Sequence, residues 1–156
     1  MEMPKPTAAH HELKRFAGAW EGQETIHPSP MDPKGGIAIG RVTNRSALDG
    51  FIIVQDYEQE RDGRRCFSGH GVIGWDGFAN CYTFHWWDSV DQPPQLYQGQ
   101  RTGNVFTLTS QVPQGHSRAI FTFDGADPRN YHFRLEVSRN GTDWHPFMTG
   151  EYSKKG

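Results

Sequence analysis

The sequence predicts an all-β protein: an antiparallel up-and-down β-barrel of about ten strands, preceded by a short N-terminal helix. Glycine or proline interrupts nearly every window of a dozen residues, and the segments between are rich in β-branched and aromatic residues. Such residues favour half-buried strands. Two-residue turn signals such as Asn140-Gly141 predict hairpins between successive strands. Closure into a barrel removes the exposed edges that sequential hairpins would otherwise leave.

Signals for a helix occur only near the N-terminus. Thr7 can act as its N-cap, and Leu13 and Phe16 lie three residues apart, on one helical face. We expect residues 1–10 to be flexible and residues 1–156 to form one barrel domain.

The ten predicted strands are separated by turn residues. In chain order they are residues 20–27, 37–48, 51–60, 65–75, 81–88, 95–101, 105–111, 117–123, 131–139 and 143–153. A two-sheet sandwich built from the same strands is the structural alternative.

The C-terminal hairpin has the strongest register signal. A two-residue turn at Asn140-Gly141 pairs Val137 with Trp144, and side chains alternate between the two faces of each strand. One face of the hairpin is then apolar on both strands and is predicted to face the core. Its members are Phe133, Leu135, Val137, Trp144 and Met148.

A second turn, Asp62-Gly63, fixes the predicted register of the middle strands. It pairs Glu60 with Arg65, a favourable cross-strand charge pair. Counting back along both strands from that pair places Gln55 opposite His70.

The two faces of these middle strands give conflicting signals for the barrel interior. A loop at residues 76–79 places His70 opposite His85, on a face with Gln55, Tyr57, Ser68, Thr83 and Trp87. The other face is charged at one end, which favours solvent, and apolar elsewhere, which favours the core. Its apolar members are Ile52, Val54, Ile73, Tyr82, Phe84 and Trp86. We place the histidine face inside, so the aromatic face becomes an exterior patch, expected to form a homodimer interface or to be covered by the helix.

Several segments resemble known barrel proteins. Phe16-Ala-Gly-Ala-Trp-Glu-Gly22 is similar to the G-x-W-x-G opening of calycin-type barrels, in which the Trp, here Trp20, closes one end. Together with the segments 69–76, 82–88 and 106–110, it resembles the bacterial domain-of-unknown-function family 1579 over residues 11–153. This resemblance implies a barrel like those of lipocalins, fatty-acid-binding proteins and nitrobindin, and it implies no activity.

Composition excludes several classes of partner. The chain has 16 basic and 18 acidic residues and a formal net charge of −2, which predicts binding neither to nucleic acid nor to an anionic membrane. No apolar run reaches the roughly 18 residues of a membrane span. Cys66 and Cys81 form no C-x-x-C motif, and the N-terminus lacks the apolar stretch of a signal peptide. We therefore expect a cytoplasmic protein with two free thiols.

Three functions are compatible with such a barrel. The first is a binding protein that holds a small, largely apolar or amphipathic ligand in its lumen. The second is a haem-binding protein, as the comparison with nitrobindin suggests, or an enzyme that uses polar lumen residues. The third is a dimeric structural or accessory barrel with a filled lumen. Catalytic residues are unassigned because no catalytic triad can be inferred from spacing alone, and no metal is expected.

The resemblance to nitrobindin implies that a haem-ligating histidine would lie on a late strand. The late-strand histidines here, His132 and His145, point outward in the predicted hairpin register, so haem is disfavoured. For the binding protein, Trp20 closes one end of the lumen, and Tyr97 and Arg101 lie near the other. The predicted ligand-binding residues are Trp20, Gln55, Tyr57, His70, His85, Trp87, Tyr97 and Arg101.

Overall fold

Ten antiparallel strands close into a barrel in the computed structural model, which describes residues 1–112 and 115–156. The strands are β1 (Gly18–Ile26), β2 (Gly36–Ala47), β3 (Ile52–Arg61), β4 (Arg64–Asp76), β5 (Cys81–Asp88), β6 (Gln95–Thr102), β7 (Val105–Val112), β8 (Gly115–Phe123), β9 (Asn130–Ser138) and β10 (His145–Lys154). Each strand pairs with its neighbours in the chain, and β1 pairs with β10, so the ring is continuous. The predicted barrel is confirmed, and the two-sheet sandwich is wrong.

A short helical segment precedes the barrel, as predicted. The helix α1 (Ala8–His11) continues into a 3₁₀ segment (Glu12–Phe16), and a second 3₁₀ segment (Leu48–Gly50) joins β2 to β3. None of the helices among the described residues is long and apolar enough to cross a membrane.

The N-terminal segment closes one end of the barrel. Leu13 and Phe16 are each only 1% exposed, and Trp20 donates a hydrogen bond from Nε1 to the Phe16 carbonyl oxygen at 2.9 Å. The Phe16 ring makes edge-to-face contacts, with ring centroids 4.9–5.1 Å apart, to Phe106, Phe121 and Phe123. Such aromatic pairs add stability beyond the area they bury. This half of the barrel is therefore filled by side chains.

A β-bulge at Cys66 changes the register between β3 and β4. Glu60 pairs with Arg65 as predicted, but Gln59 then pairs with Phe67, so Cys66 is an extra residue on β4. One extra residue reverses which face each later side chain of the strand occupies relative to its partner strand. His70 consequently lies opposite Asp56 and not opposite Gln55.

The β4 and β5 residues of the histidine face lie outside the barrel, so the predicted placement of His70, His85 and Trp87 inside is wrong. The β4–β5 loop comprises residues 77–80, one residue later than predicted, and it places His70 opposite Trp87 and His85 opposite Val72. His70 and His85 are exposed, and Trp87 is 43% exposed. The β4 and β5 residues of the aromatic face, with buried Ile73, Tyr82 and Phe84, point inward. The homodimer stays a prediction, without the exterior aromatic patch that motivated it.

The C-terminal hairpin has a longer loop than its Asn140-Gly141 sequence predicts. The Asn140 side chain accepts hydrogen bonds from the backbone N–H groups of Thr142 and Asp143, both at 2.9 Å, and Val137 pairs with His145. A further irregularity between Pro146 and Met148 shifts the register again. The predicted pairing of this hairpin is therefore wrong.

Four of the five apolar hairpin residues nevertheless occupy the predicted face. Phe133, Leu135, Val137 and Met148 point into the barrel. Trp144, by contrast, precedes β10 and packs half-buried under the Arg118 guanidinium, 4.1 Å from its ring centroid. Its predicted place inside the core is wrong, because the longer loop removes it from the strand.

Candidate functional site

The half of the barrel opposite the N-terminal helix contains a cavity of about 470 Å³. This volume lies within the roughly 300–1,000 Å³ that is usual for small-molecule sites. The aromatic side chains on its wall are Tyr57, Phe67, Phe84, Trp86, Tyr97, Phe121, Tyr131, Phe133, Phe147 and Tyr152. The barrel therefore combines a packed half with an open half that has a largely aromatic wall.

Two glycines of β4 make room for the aromatic wall. A methyl group at Gly69 would overlap the Trp86 ring, and one at Gly71 would overlap the Phe84 ring. The two rings thus lie directly over the backbone of the neighbouring strand. The absence of a side chain at these positions lets the two rings approach the wall closely and leaves the lumen wider.

Two polar groups on the cavity wall have no hydrogen-bond partner among the described residues. These groups are the side-chain amide of Gln55 and the hydroxyl of Tyr131, which belong to residues that are 6% and 4% exposed. Buried polar groups in proteins are usually paired. Both groups are therefore available to a molecule inside the cavity.

Other polar groups on the wall bond to one another. The Tyr97 hydroxyl lies 2.9 Å from Ser117 Oγ, and Trp86 Nε1 donates to Asp88 Oδ2 at 3.0 Å. Burial raises the pKa of Tyr97, which keeps its hydroxyl protonated. These pairs hold the side chains in fixed orientations around the cavity.

A buried carboxyl group, that of Glu24, lies behind one side of the cavity wall. Its side chain is 0% exposed, and Tyr57 Oη lies 2.8 Å from each of its two carboxylate oxygens. Gln59 Nε2 donates to Oε1 at 3.0 Å, and the Tyr152 hydroxyl donates to Oε2. Tyr57, Gln59 and Tyr152 line the cavity, so they separate Glu24 from it.

Burial controls the protonation of this cluster. It raises the pKa of Glu24, because a charged carboxylate is poorly solvated there, and the hydrogen bonds from Tyr152, Tyr57 and Gln59 act in the opposite direction. Burial and the nearby Glu24 carboxylate also raise the pKa of Tyr57 and Tyr152. The cluster can therefore hold a proton on Glu24, and its two tyrosines stay neutral.

Glycines in two strands, β2 and β10, create the space that Glu24 and Tyr152 occupy. A methyl group at Gly40 would overlap Glu24 Oε2, and one at Gly150 would overlap the Tyr152 ring. We did not predict this cluster from the sequence. Side chains alternate between the two faces of a strand, so Glu24 lies on the same face of β1 as the buried Trp20. This alternation in the sequence could have predicted that Glu24 is buried.

An ion pair between Arg61 and Asp32 lies at the mouth of the cavity. Arg61 Nη1 lies 2.8 Å from Asp32 Oδ2, and Arg61 Nη2 donates to the Gly35 carbonyl oxygen at 3.1 Å. Exposed Met31 and Val90 lie beside this pair on the cavity rim. The cationic side chain at the rim is thus already occupied by protein groups.

The structure divides the eight predicted ligand-binding residues into three groups. Gln55, Tyr57 and Tyr97 line the cavity. Trp20 lies at the closed end, where it was expected to cap the lumen. The prediction that His70, His85 and Trp87 line the lumen is wrong, and so is the prediction that Arg101 lies near the end opposite Trp20.

The misplaced residues have other partners. His70 Nδ1 lies 2.7 Å from Asp56 Oδ1 on the outer surface. Arg101 lies at the closed end, where Nη1 donates to the Gly103 carbonyl oxygen at 2.8 Å and Nε lies 3.9 Å from Glu12 Oε2.

The described residues do not provide a metal-ion cluster or a histidine ligand for haem in the cavity. Within residues 1–112 and 115–156, no three His, Cys, Asp or Glu side chains are grouped so that they could hold a metal ion. The described side chains that line the cavity include no histidine. His132 lies on the outer surface, 2.5 Å from Glu151. The residues present therefore do not provide the histidine ligand that the haem hypothesis requires.

Comparisons with known proteins agree with this architecture. A family model described as "Protein of unknown function (DUF1579)" matches residues 5–154. No curated protein matches the sequence. Rv2717c from M. tuberculosis has a similar structure, with a TM-score of 0.69 and 12% identity over 96% of this chain and 99% of that chain. The S-type phycobiliprotein lyase CPES from Guillardia theta has a TM-score of 0.62 and 9% identity, over 96% of this chain and 94% of that chain. At these identities the similarity shows the fold alone.

Proposed function

The chain belongs to the DUF1579 family of proteins of unknown function, and we propose that it is a binding protein that holds one small, largely apolar ligand inside its barrel. The observation that carries this proposal is the cavity of about 470 Å³ with its largely aromatic wall. An apolar ligand would release water from this wall, and burial of apolar surface favours association.

The contrast between the two halves of the barrel supports a binding role over a purely structural one. Around Phe16, aromatic side chains fill the closed half. In the open half, aromatic side chains of similar size lie against the wall, over Gly69 and Gly71, and leave the centre empty. A barrel that served only as a scaffold would gain stability if that space were filled, because empty space forfeits packing contacts.

An obstruction of the cavity tests the proposal. Ala119 is 2% exposed and faces the cavity from β8, so the variant Ala119→Phe places a phenyl ring in the lumen. Thr122→Phe introduces the same ring on the exposed outer face of β8 and is the matched control. The neutral dye N-phenyl-1-naphthylamine, whose fluorescence rises in apolar surroundings, is the probe.

We expect the parent and Thr122→Phe to bind one dye molecule with equal affinity. Ala119→Phe should bind about tenfold more weakly or worse, because the added ring competes with the dye for the same space. Circular dichroism and thermal unfolding show whether each variant is folded. Equal dye affinity in a folded Ala119→Phe protein would contradict the proposal.

A further inference from the structure

The floor of the cavity carries a polar group that the protein leaves unpaired. Gln55 follows Ile53 on the inward face of β3, next to the packed half of the barrel, and its side chain is more than nine-tenths buried. Asn44 lies opposite Gln55 on β2 and donates from Nδ2 to the Phe16 carbonyl oxygen at 2.9 Å. The Asn44 Oδ1 atom is itself buried without a partner among the described residues. The Gln55 amide is thus not bonded to its polar neighbour and remains open to the cavity.

A carboxamide has a specific complement. It presents an N–H donor and a carbonyl acceptor side by side, so it can form two parallel hydrogen bonds with a group that offers an acceptor beside a donor. Amide, lactam and related heterocyclic edges have this arrangement. A ligand without such an edge would leave the buried Gln55 amide unsatisfied, which weakens binding.

The charges around the cavity favour an uncharged ligand. Among the described residues that line it, the charged ones are Asp32, Arg61 and Asp88. Arg61 is paired with Asp32 at the mouth, and the Asp88 carboxylate accepts from Trp86 Nε1. The interior therefore offers no unpaired cation to a ligand carboxylate, and the burial of an unpaired anion is costly.

The aromatic wall favours a planar ligand. Phe84, Trp86, Tyr97 and Phe121 present ring faces and edges around the lumen, with centroids 5.6–6.2 Å apart within this group. A flat aromatic molecule can stack on the faces of such rings or meet their edges, in the offset and edge-to-face geometries that aromatic pairs prefer.

We propose that the ligand is an uncharged, planar aromatic compound that carries a carbonyl acceptor beside an N–H donor and pairs both with the Gln55 amide. This inference rests on the proposed binding function and specifies the chemical class of its ligand. Gln55 lies at the inner end of the site, so the polar edge of the ligand enters first and its apolar rings face the aromatic wall.

Three probes of similar size test the ligand class by calorimetry. Quinolin-2(1H)-one is a neutral bicycle with a lactam edge, naphthalene lacks that edge, and naphthalene-2-carboxylate is an anion. We expect the lactam to bind about tenfold more tightly than naphthalene, since two additional hydrogen bonds satisfy a buried amide. The carboxylate should bind most weakly.

The variant Gln55→Leu separates a role in binding from a role in stability. It should lower the affinity for the lactam about tenfold and leave the affinity for naphthalene unchanged. Its midpoint of thermal unfolding should not fall, because an apolar group replaces an unpaired polar one. Gln23→Leu, which changes an exposed glutamine on the outer face of β1, is the matched control and should bind all three probes as the parent does.

Each alternative outcome has a separate meaning. If naphthalene binds but the lactam binds no better, or if Gln55→Leu weakens all probes equally, the ligand class is wrong and the binding function stands. A carboxylate that binds most tightly would also refute the uncharged ligand. If none of the three probes binds, the proposed function itself is contradicted.

Discussion

The buried carboxyl group of Glu24 makes a strong prediction about the pH dependence of stability. In the variant Glu24→Gln, a neutral amide replaces a carboxyl group whose pKa is raised by burial. The amide has nearly the shape of the protonated carboxyl, and both have one carbonyl acceptor and one donor group. Tyr57, Gln59 and Tyr152 therefore keep a polar partner in the variant. What the substitution removes is the ability of this position to become charged.

The sign of the effect follows from proton linkage. The Glu24 carboxyl has an ordinary pKa of 4.5 in the unfolded chain and a higher pKa in the folded protein. Between these two pKa values the folded state binds more protons than the unfolded state. The protonated Glu24 carboxyl therefore contributes stability that is fully present below pH 4.5 and is lost as the pH rises through the folded pKa. The slope is at most about 1.4 kcal/mol per pH unit for one group. Glu24→Gln lacks this slope and should become more stable relative to the parent as the pH rises.

Urea unfolding at a series of pH values between 4 and 8 measures this difference. The matched control is Glu21→Gln, on the same strand but on the outer surface, where hydrogen bonds from Arg41 and Lys155 lower the pKa of Glu21. The contribution of the Glu21 carboxylate to stability has the opposite sign to that of Glu24. It is present above the unfolded pKa of Glu21 and is lost as the pH falls through the folded pKa. Parallel stability curves for the parent and Glu24→Gln would show that the Glu24 carboxyl titrates alike in both states and would refute the reasoning.

Two further predictions concern packing. Gly71→Ala should lower the free energy of unfolding by about 1–3 kcal/mol, because the new methyl group overlaps the Phe84 ring, whereas Gly74→Ala on the same strand should be nearly neutral since its closest neighbours would lie 3.6 Å away. Equal urea midpoints for these two variants would contradict the packing argument. Trp144→Ala should cost only about 0.5–1 kcal/mol, the range of an exposed cation–π contact, because Trp144 packs against Arg118 outside the barrel. A loss of 3 kcal/mol or more in the same assay would place the indole in the core instead.

The fold could be predicted from local signals, but the interior face could not. The Asp62-Gly63 turn correctly pairs Glu60 with Arg65, and the strand pattern beyond it is clear. The bulge at Cys66 has no comparable signature, because no glycine or proline marks it. One unmarked residue was enough to place His70 on the wrong side of the sheet. Each of the two conflicting interpretations of these strands was therefore correct on one side of the bulge.

The same reasoning explains which site residues were found. Gln55 and Tyr57 lie on β3, which contains no extra residue. The bulge on β4 therefore does not change the face of β3 on which they were predicted to lie. His85 and Trp87 follow it, and their predicted face depended on a register that the bulge changes. Tyr97 lies on β6, beyond the two strands whose register the bulge changes, and it lines the cavity as predicted. The bulge thus accounts for the misplaced residues of β4 and β5, and the separate error in the C-terminal hairpin came from its longer loop.

The inward-facing residues of β3 extend from the packed half of the barrel to the mouth of the cavity. These residues, from the closed end to the mouth, are Ile53, Gln55, Tyr57, Gln59 and Arg61. Ile53 packs in the core, and Gln55 carries the unpaired amide. Tyr57 and Gln59 donate hydrogen bonds to Glu24, and Arg61 pairs with Asp32. The apolar residue of this face lies at the closed end, and the charged residue lies at the mouth. An apolar residue against the packed half and polar residues beyond it are what a cavity open at one end requires, since a polar side chain there can be satisfied by water or by a ligand.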